Sequence, residues 1–363
     1  MYMARRIKIT VIGAGNLGPI ISADLVSRGF EVTLGELPEY EFNIQPIIES
    51  GNKVELVGAL SCTIKINFVT TDLEKALERG ELIICPVRQV LHERLAKLLI
   101  PYLRDGQTIL LWPGCAGTLI FARILKEEGV KKDLLLAELE QSPIAGRRIG
   151  PNKFRVDYYS RRVVAAAFPA KNNEKLKDVL EGLGYKVVLR KHVLETALNF
   201  SNIIAHPILL LLNLGAVEQL GEDYDLDPGG RTESVNRLWL ALDKEKLALC
   251  RALGLPERPR PSGVGMYKPG ERKRGPIPIW KPYRKEFYSR FSSYFTEDVP
   301  NLVLFASLGD MLGIPTPISK AIILLASIIN ETDYFKTGRT VEKLGIAGMT
   351  KEKLNKFLLE GKT

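Results

Sequence analysis

Short apolar runs alternate with helix-period stretches along the first half of the chain. Residues 7–12 (IKITVI) read as a buried strand, a helical stretch runs to Arg28, and residues 30–34 (FEVTL) read as a second strand. Residues 81–87, 108–112, 134–138, 163–168 and 186–189 continue as strands. Helices are predicted at 91–99 and near 173–183. Strands separated by helices predict an α/β domain with a mostly parallel sheet. From His192 onward the period is helical, with helices predicted at 232–253, 303–312, 318–329 and, as surface packing, 351–359. The expected division is an α/β domain over residues 1–190 and an all-helical domain over 191–363. A long irregular stretch interrupts the second at 256–285.

One helical segment stands apart. Residues 199–213 are apolar except for Asn199, Asn202, His206 and Asn213. At about 100° per residue these four fall within an arc of roughly 60°. Ile203, Ile204, Leu209, Leu210 and Leu212 crowd around the rest. A helix apolar nearly all round is buried, so the polar stripe is expected on an internal surface. Each buried polar group left unpaired costs about 1–3 kcal/mol. The partners are either one another, in a core network, or a bound substrate or cofactor. Periodicity alone leaves both open.

The first strand runs into residues 13–18 (GAGNLG), then a helix, then the second strand, then Glu36. In this Rossmann-like arrangement Gly13 allows the tight turn. Gly15 lets backbone approach a pyrophosphate, and Gly18 lets helix and strand pack closely. The helix start, with Asn16 and Leu17, offers N–H groups and partial positive charge to phosphates. Glu36 is placed to accept hydrogen bonds from the adenosine ribose. An acid there, with no Arg or Lys over residues 34–40, favours NAD over NADP, with NADP the alternative. Ligands bind beyond the carboxyl ends of such strands. Val87 and Arg88, and Pro113 and Gly114 in the loop to Gly117, are therefore expected near the cofactor. His92 reads as an ordinary half-exposed helix residue, and Cys115 as a packing residue.

Composition narrows the reading. A chain of 363 residues with 45% hydrophobic and 26% charged residues suggests two globular domains. Residues 1–6 show no signal-peptide pattern. The apolar run 321–329 is shorter than the roughly 20 residues a bilayer requires. A cytoplasmic protein without a membrane partner is expected. Four scattered cysteines and 3 histidines make a metal cluster unexpected. The net charge of +9 is concentrated: from Arg258 to Arg290, 10 Lys/Arg face only Glu271 and Glu286. No nucleic-acid signature accompanies it, so no nucleic-acid partner is expected. With Tyr267, Trp280 and Tyr283, the stretch suits a lid over a carboxylated substrate; the bland reading is a solvated insertion. Asp298, two residues before Pro300, either caps the following helix or orients His206.

Three blocks together resemble the opine dehydrogenase family, of the octopine/nopaline type. The first is residues 13–18. The second runs from Asn202 through His206-Pro207 and Asn213, on through residues 231–237 to 252–254. The third is residues 296–300 (TEDVP), followed by Leu308-Gly309 and residues 313–317. The resemblance spans nearly the whole chain. It implies a Rossmann domain and a helical domain with the site in the cleft between them. It also implies reductive condensation of an amino acid or other amine with an α-keto acid, using NADH or NADPH. On the matching positions it implies His206 as acid/base, Asp298 as its partner and Asn202 as a site-lining residue. The segment from Glu138 to Arg147, with Gln141, resembles the part that contacts the keto acid. Family members often carry an Arg five residues before the Asp. Here Ser293 stands at that position; either Arg290, Arg284 or Lys285 replaces the Arg, or the amino partner differs. A homodimer is a family-level expectation.

Two other readings compete. One is a keto- or hydroxy-acid reductase of the glycerol-3-phosphate or ketopantoate type, which usually depends on a Lys in the helical domain; none lies on the stripe. The other is a non-catalytic dinucleotide-binding sensor or scaffold.

Overall fold

The structure, a computed structural model, describes residues 7–221, 224–260 and 294–362. Its contacts divide the chain into two compact units, Met1–Ala197 with Lys356–Thr363, and Leu198–Asn355.

The first unit holds an eight-stranded sheet ordered β12-β11-β8-β7-β6-β1-β2-β5. Its strands are β1 Ile9–Ile12, β2 Val32–Gly35, β5 Phe68–Thr70, β6 Leu82–Cys85, β7 Thr108–Leu111, β8 Leu135–Leu139, β11 Arg162–Phe168 and β12 Lys186–Leu189. Six run parallel from β5 to β8; β11 turns antiparallel against β8 and pairs parallel with β12. The order reverses at β1, the switch point where such sheets bind ligands. β1, β2, β6 and β7 are buried at every position, which is why they read as continuous apolar runs. Helices α1 Gly18–Ser27, α2 Glu41–Glu49, α3 Leu73–Arg79, α4 His92–Leu99, α5 Gly117–Glu127 and α6 Asn173–Gly182 cross between strands.

A second sheet was not expected. Strands β3 Lys53–Gly58, β4 Cys62–Lys65, β9 Ile144–Arg148 and β10 Lys153–Tyr159 form it in the order β4-β3-β10-β9. The signal was alternation: Val54 and Leu56 in β3, and Phe154 and Val156 in β10, face the core while their neighbours do not. The pairing of β3 with β10 joins residues about a hundred positions apart, and local pattern does not encode it.

The second unit is helical. It contains α8 Ser201–Leu211, α9 Leu214–Leu220, α10 Glu233–Ala252, α11 Asp298–Leu312, α12 Pro317–Ile329 and α13 Tyr334–Thr337; α7 Val193–Leu198 leads into it. The expected single helix over 199–213 is in fact broken. Asn199 and Phe200 separate α7 from α8, and Asn213 caps the start of α9. Pro207 lies within α8, where it has no N–H to give Ile203. Residues Val193–Leu211 are long and apolar enough to cross a bilayer, but 72% of the tested window is buried in the fold. Leu212, expected among the buried positions, is 47% exposed because the chain turns there. The last helix, α14 Lys351–Glu360, is more than surface packing. Leu358 is fully buried and Phe357 packs on Phe168 at 4.9 Å, and a fully buried Leu is worth about 1.5–3 kcal/mol.

Candidate active site

The glycine loop between β1 and α1 has the shape its residues demand. Gly13 sits at φ +116 and donates its N–H to Gly35 O at 2.8 Å. A Cβ on Gly18 would lie 1.7 Å from Gly13 O, so only glycine closes the loop. A Cβ on Gly15 would meet nothing within 4 Å. The loop is therefore tight behind and open in front, a cradle that backbone can offer to phosphate. α1 begins with Leu17 as N-cap and no side-chain capping bond, so no side chain competes for its first N–H groups. Replacing Gly18 with Ala forces the Cβ onto backbone. The expected cost is about 1–3 kcal/mol, read as a roughly tenfold or greater loss of NADH affinity in a fluorescence titration. Unchanged affinity would show that the loop is not the cofactor's cradle.

Glu36 departs from expectation. It is 3% exposed. Its Oε2 accepts the Ala14 N–H at 2.7 Å and Asn43 Nδ2 at 3.1 Å, and its Oε1 accepts the Leu37 N–H at 2.8 Å. The carboxylate is thus turned into the glycine loop as a brace instead of standing out toward a ribose. Burial pushes its pKa up, against those hydrogen bonds and the nearby Arg148 charge. Arg148, on β9, was not singled out by the sequence. It is 1% exposed, and its Nη2 donates to Ala14 O at 3.1 Å and Asn43 O at 2.6 Å. Its own N–H donates to Asn16 Oδ1 at 3.0 Å. The second sheet therefore braces the loop from below, through contacts no local pattern could announce.

Val87 stands against Gly13, where an added Cβ would meet its Cγ1 at 3.0 Å, and Arg88 is exposed at the start of the next turn. Pro113 and Gly114 begin a loop in which Cys115 and Ala116 both take positive φ. Such residues cost about 1–2 kcal/mol each, so the loop needs a clamp. Glu138 supplies it. Its Oε1 accepts the Ala116 N–H at 2.9 Å and Thr196 Oγ1 at 2.5 Å; its Oε2 accepts Thr118 Oγ1 at 2.9 Å and the Thr118 N–H at 3.3 Å. A Cβ on Gly114 would sit 2.2 Å from that of Glu138. Glu138 is fully buried, and burial raises its pKa. It holds a loop; it is not the exposed start of a keto-acid contact. His92 is likewise fully buried, not half exposed. The backbone of Gly117 packs on its ring, and Phe121 meets it edge-on.

In the second unit α8 carries Asn202 and His206 one turn apart. His206 Nδ1 lies 2.8 Å from Asp298 Oδ2. A carboxylate only accepts, so Nδ1 carries the hydrogen and Nε2 is left with its lone pair. Asp298 is 4% exposed and opens α11, where the helix dipole favours negative charge. The His206 ring stacks on Tyr294 at 3.9 Å and 8°. Held on an edge by Asp298 and on a face by Tyr294, the ring has one orientation, and its side chain is still 24% exposed. Asn213 belongs elsewhere. Its amide donates to Leu209 O and Gly230 O and accepts from Tyr224 at 2.5 Å, which closes the turn after α8.

The remaining candidates separate. Gln141 is exposed on the turn after β8. Arg147 lies on β9 with its guanidinium engaged by Asp157 at 3.2 Å. Arg284, Arg290, Lys285 and Ser293 lie outside the described residues, as does most of 256–285.

A glycine-cradled α/β unit followed by a helical unit with an acid-supported imidazole defines a two-unit, dinucleotide-dependent dehydrogenase. The family model described as NAD/NADP octopine/nopaline dehydrogenase, alpha-helical domain, matches residues 189–330. Opine dehydrogenase of an Arthrobacter species is 29% identical, covering 94% of this chain and 95% of that protein. Vitopine synthase of Allorhizobium ampelinum is 25% identical, covering 94% and 96%. A solved octopine dehydrogenase, in complex with NADH and agmatine, has the same fold: TM-score 0.70, 18% identity, 98% of each chain covered. Residues 189–330 thus match the helical domain of octopine/nopaline dehydrogenases, the whole chain is similar to opine dehydrogenases, and the protein is an opine-type, NAD(P)-dependent oxidoreductase.

Proposed function

We propose that His206 is the acid/base of this enzyme, that Asp298 orients it, and that the reaction joins an amino acid to a small α-keto acid such as pyruvate. The 2.8 Å contact between His206 Nδ1 and Asp298 Oδ2 carries this reading. The amino nitrogen bonds to the keto carbon and water leaves, giving an imine. Bound dihydronicotinamide supplies hydride to a carbon electrophile of this kind. His206 Nε2 holds the proton that the nitrogen takes up, and in reverse it removes that proton from the secondary amine. Asp298 keeps the tautomer fixed and stabilises the imidazolium. Asn202, one turn before, lines the same face of α8. That the chain is similar to an opine dehydrogenase and a vitopine synthase supports this chemistry.

NADH is preferred over NADPH on this reading, because residues 34–40 offer no cation to a 2′-phosphate. The enzyme works in the cytoplasm as a homodimer. The deciding assay follows NADH oxidation with pyruvate, with and without a panel of amino acids, and repeats it with NADPH. Turnover is expected only with both carbon substrates present. Turnover with pyruvate alone would make the protein a keto-acid reductase instead.

A further inference from the structure

Arg260 ends the described segment after α10, and its surroundings are unusual. Its own N–H donates to Asp243 Oδ2 at 2.8 Å. Asp243 Oδ1 pairs with Lys246 Nζ at 2.5 Å, and Lys246 Nζ also donates to Arg258 O at 2.7 Å. Asp243 and Lys246 are both buried. Two buried charges thus staple the backbone of residues 258–260 to α10. The one carboxylate at hand is spent on a main-chain N–H and on a lysine.

The Arg260 guanidinium feels the Asp243 charge but makes no hydrogen bond or ion pair with it. Its Cζ lies 4.5 Å from the centre of the Trp239 ring. Its Nε is buried without a hydrogen-bond partner, and among the described residues the group makes no ion pair. Arg231, held by Asp227 at 2.7 Å, is near enough for its charge to oppose that of Arg260. Burial first, and Arg231 second, push the Arg260 pKa down. A half-buried guanidinium with unspent donors, stacked on an indole beside a second cation, is complementary to a planar oxyanion.

Its place ties it to the chemistry. Trp239 is 1% exposed and donates its indole N–H to Ala205 O at 3.1 Å. Ala205 precedes His206. One side-chain layer therefore separates Arg260 from the helix that carries Asn202 and His206.

We propose that Arg260, supported by Arg231 and the Trp239 ring, is a carboxylate-binding subsite that anchors one of the two substrate carboxylates. This rests on the opine reading above, which gives the product two such groups. It also supplies, within the second unit, a guanidinium for the role that Ser293 cannot fill.

The test compares wild type with Arg260→Gln and Arg260→Lys. Neither change touches the main-chain bond to Asp243, and thermal melts of both variants verify the fold. Arg260→Gln is expected to raise KM for pyruvate or for the amino acid by about 30-fold or more. The KM for NADH is expected to stay constant and kcat to change less than KM. Arg260→Lys should recover part of that loss. Wild type should prefer the amino acid to its carboxamide, or pyruvate to its amide, and Arg260→Gln should lose that preference. Unchanged KM for both carbon substrates in Arg260→Gln would overturn the subsite and leave the opine reading intact. Absence of amine-dependent turnover in wild type would overturn the opine reading instead. Calorimetric titration of pyruvate into wild type and Arg260→Gln, each with NADH, then still decides the subsite: equal binding overturns it.

Discussion

His206→Ala is expected to lower kcat by about 10²–10⁴-fold while NADH binds as before. The ring does what alanine cannot. On the proposed reading it exchanges a proton at Nε2, and Asp298 and Tyr294 fix the plane of the ring. The glycine loop proposed to cradle the dinucleotide lies in the other unit, on Gly13, Gly15 and Gly18. Kinetics under saturating substrates, together with an NADH fluorescence titration, separate the two effects. Asp298→Asn should show a comparable loss, since an amide NH2 facing Nδ1 favours the wrong tautomer and an amide cannot stabilise the imidazolium. Near-wild-type turnover in His206→Ala would remove the imidazole from the mechanism.

Acid stability is the second large effect. His192 is fully buried at the start of α7, and both of its ring nitrogens lack a hydrogen-bond partner. The turn forces it inward. Its carbonyl accepts the Glu195 N–H at 2.9 Å while the Glu195 side chain returns to the Lys191 N–H at 2.7 Å. Burial, with a smaller push from Lys191, lowers its pKa from 6.5 to about 4. In the folded state the ring stays neutral where the unfolded chain would take up a proton. The folded protein thus binds fewer protons between pH 6.5 and about 4, and its stability falls as pH drops through that window. The shift corresponds to about 3 kcal/mol, a large part of a typical 5–15 kcal/mol. Glu36 and Glu138, raised by burial, act in the opposite sense, since their folded forms bind protons more readily. The comparison is therefore between wild type and His192→Leu in urea melts at pH 7.5 and pH 4.5. The variant should equal or exceed wild type at the higher pH and lose much less on acidification. Parallel losses in the two proteins would show that His192 does not carry the effect.

Both large predictions rest on histidines, yet the sequence distinguished them unequally. His206 was visible because it sits at helical spacing from Asn202 inside an apolar run, beside a family-specific proline. His192 is an ordinary residue at a segment boundary, and only packing reveals that it is enclosed. Glu36 shows a third case. Its position after β2 was legible, but the direction of its carboxylate depends on Ala14, Leu37 and Asn43 meeting it in space. Arg148 had no legible signal, and Arg260 showed only as one member of the basic stretch 258–290. One acts through a strand of a sheet joined across about a hundred residues, and the other is defined by what Asp243 and Lys246 do to its backbone.

By itself, the order of residues determined the strand–glycine–helix start, the parallel α/β rhythm and the helical second half. These follow from periodicity and from residue types whose chemistry acts over a few neighbours. Only the tertiary structure decided that the polar stripe is broken at Phe200 and Leu212, so that Asn213 closes a turn while His206 meets Asp298. Only it made Glu36 and Glu138 braces, and only it stacked the Arg260 guanidinium on Trp239. The physical reason is the same in each case. A buried polar group takes the partner that the fold brings within about 3 Å, and that partner is distant along the chain.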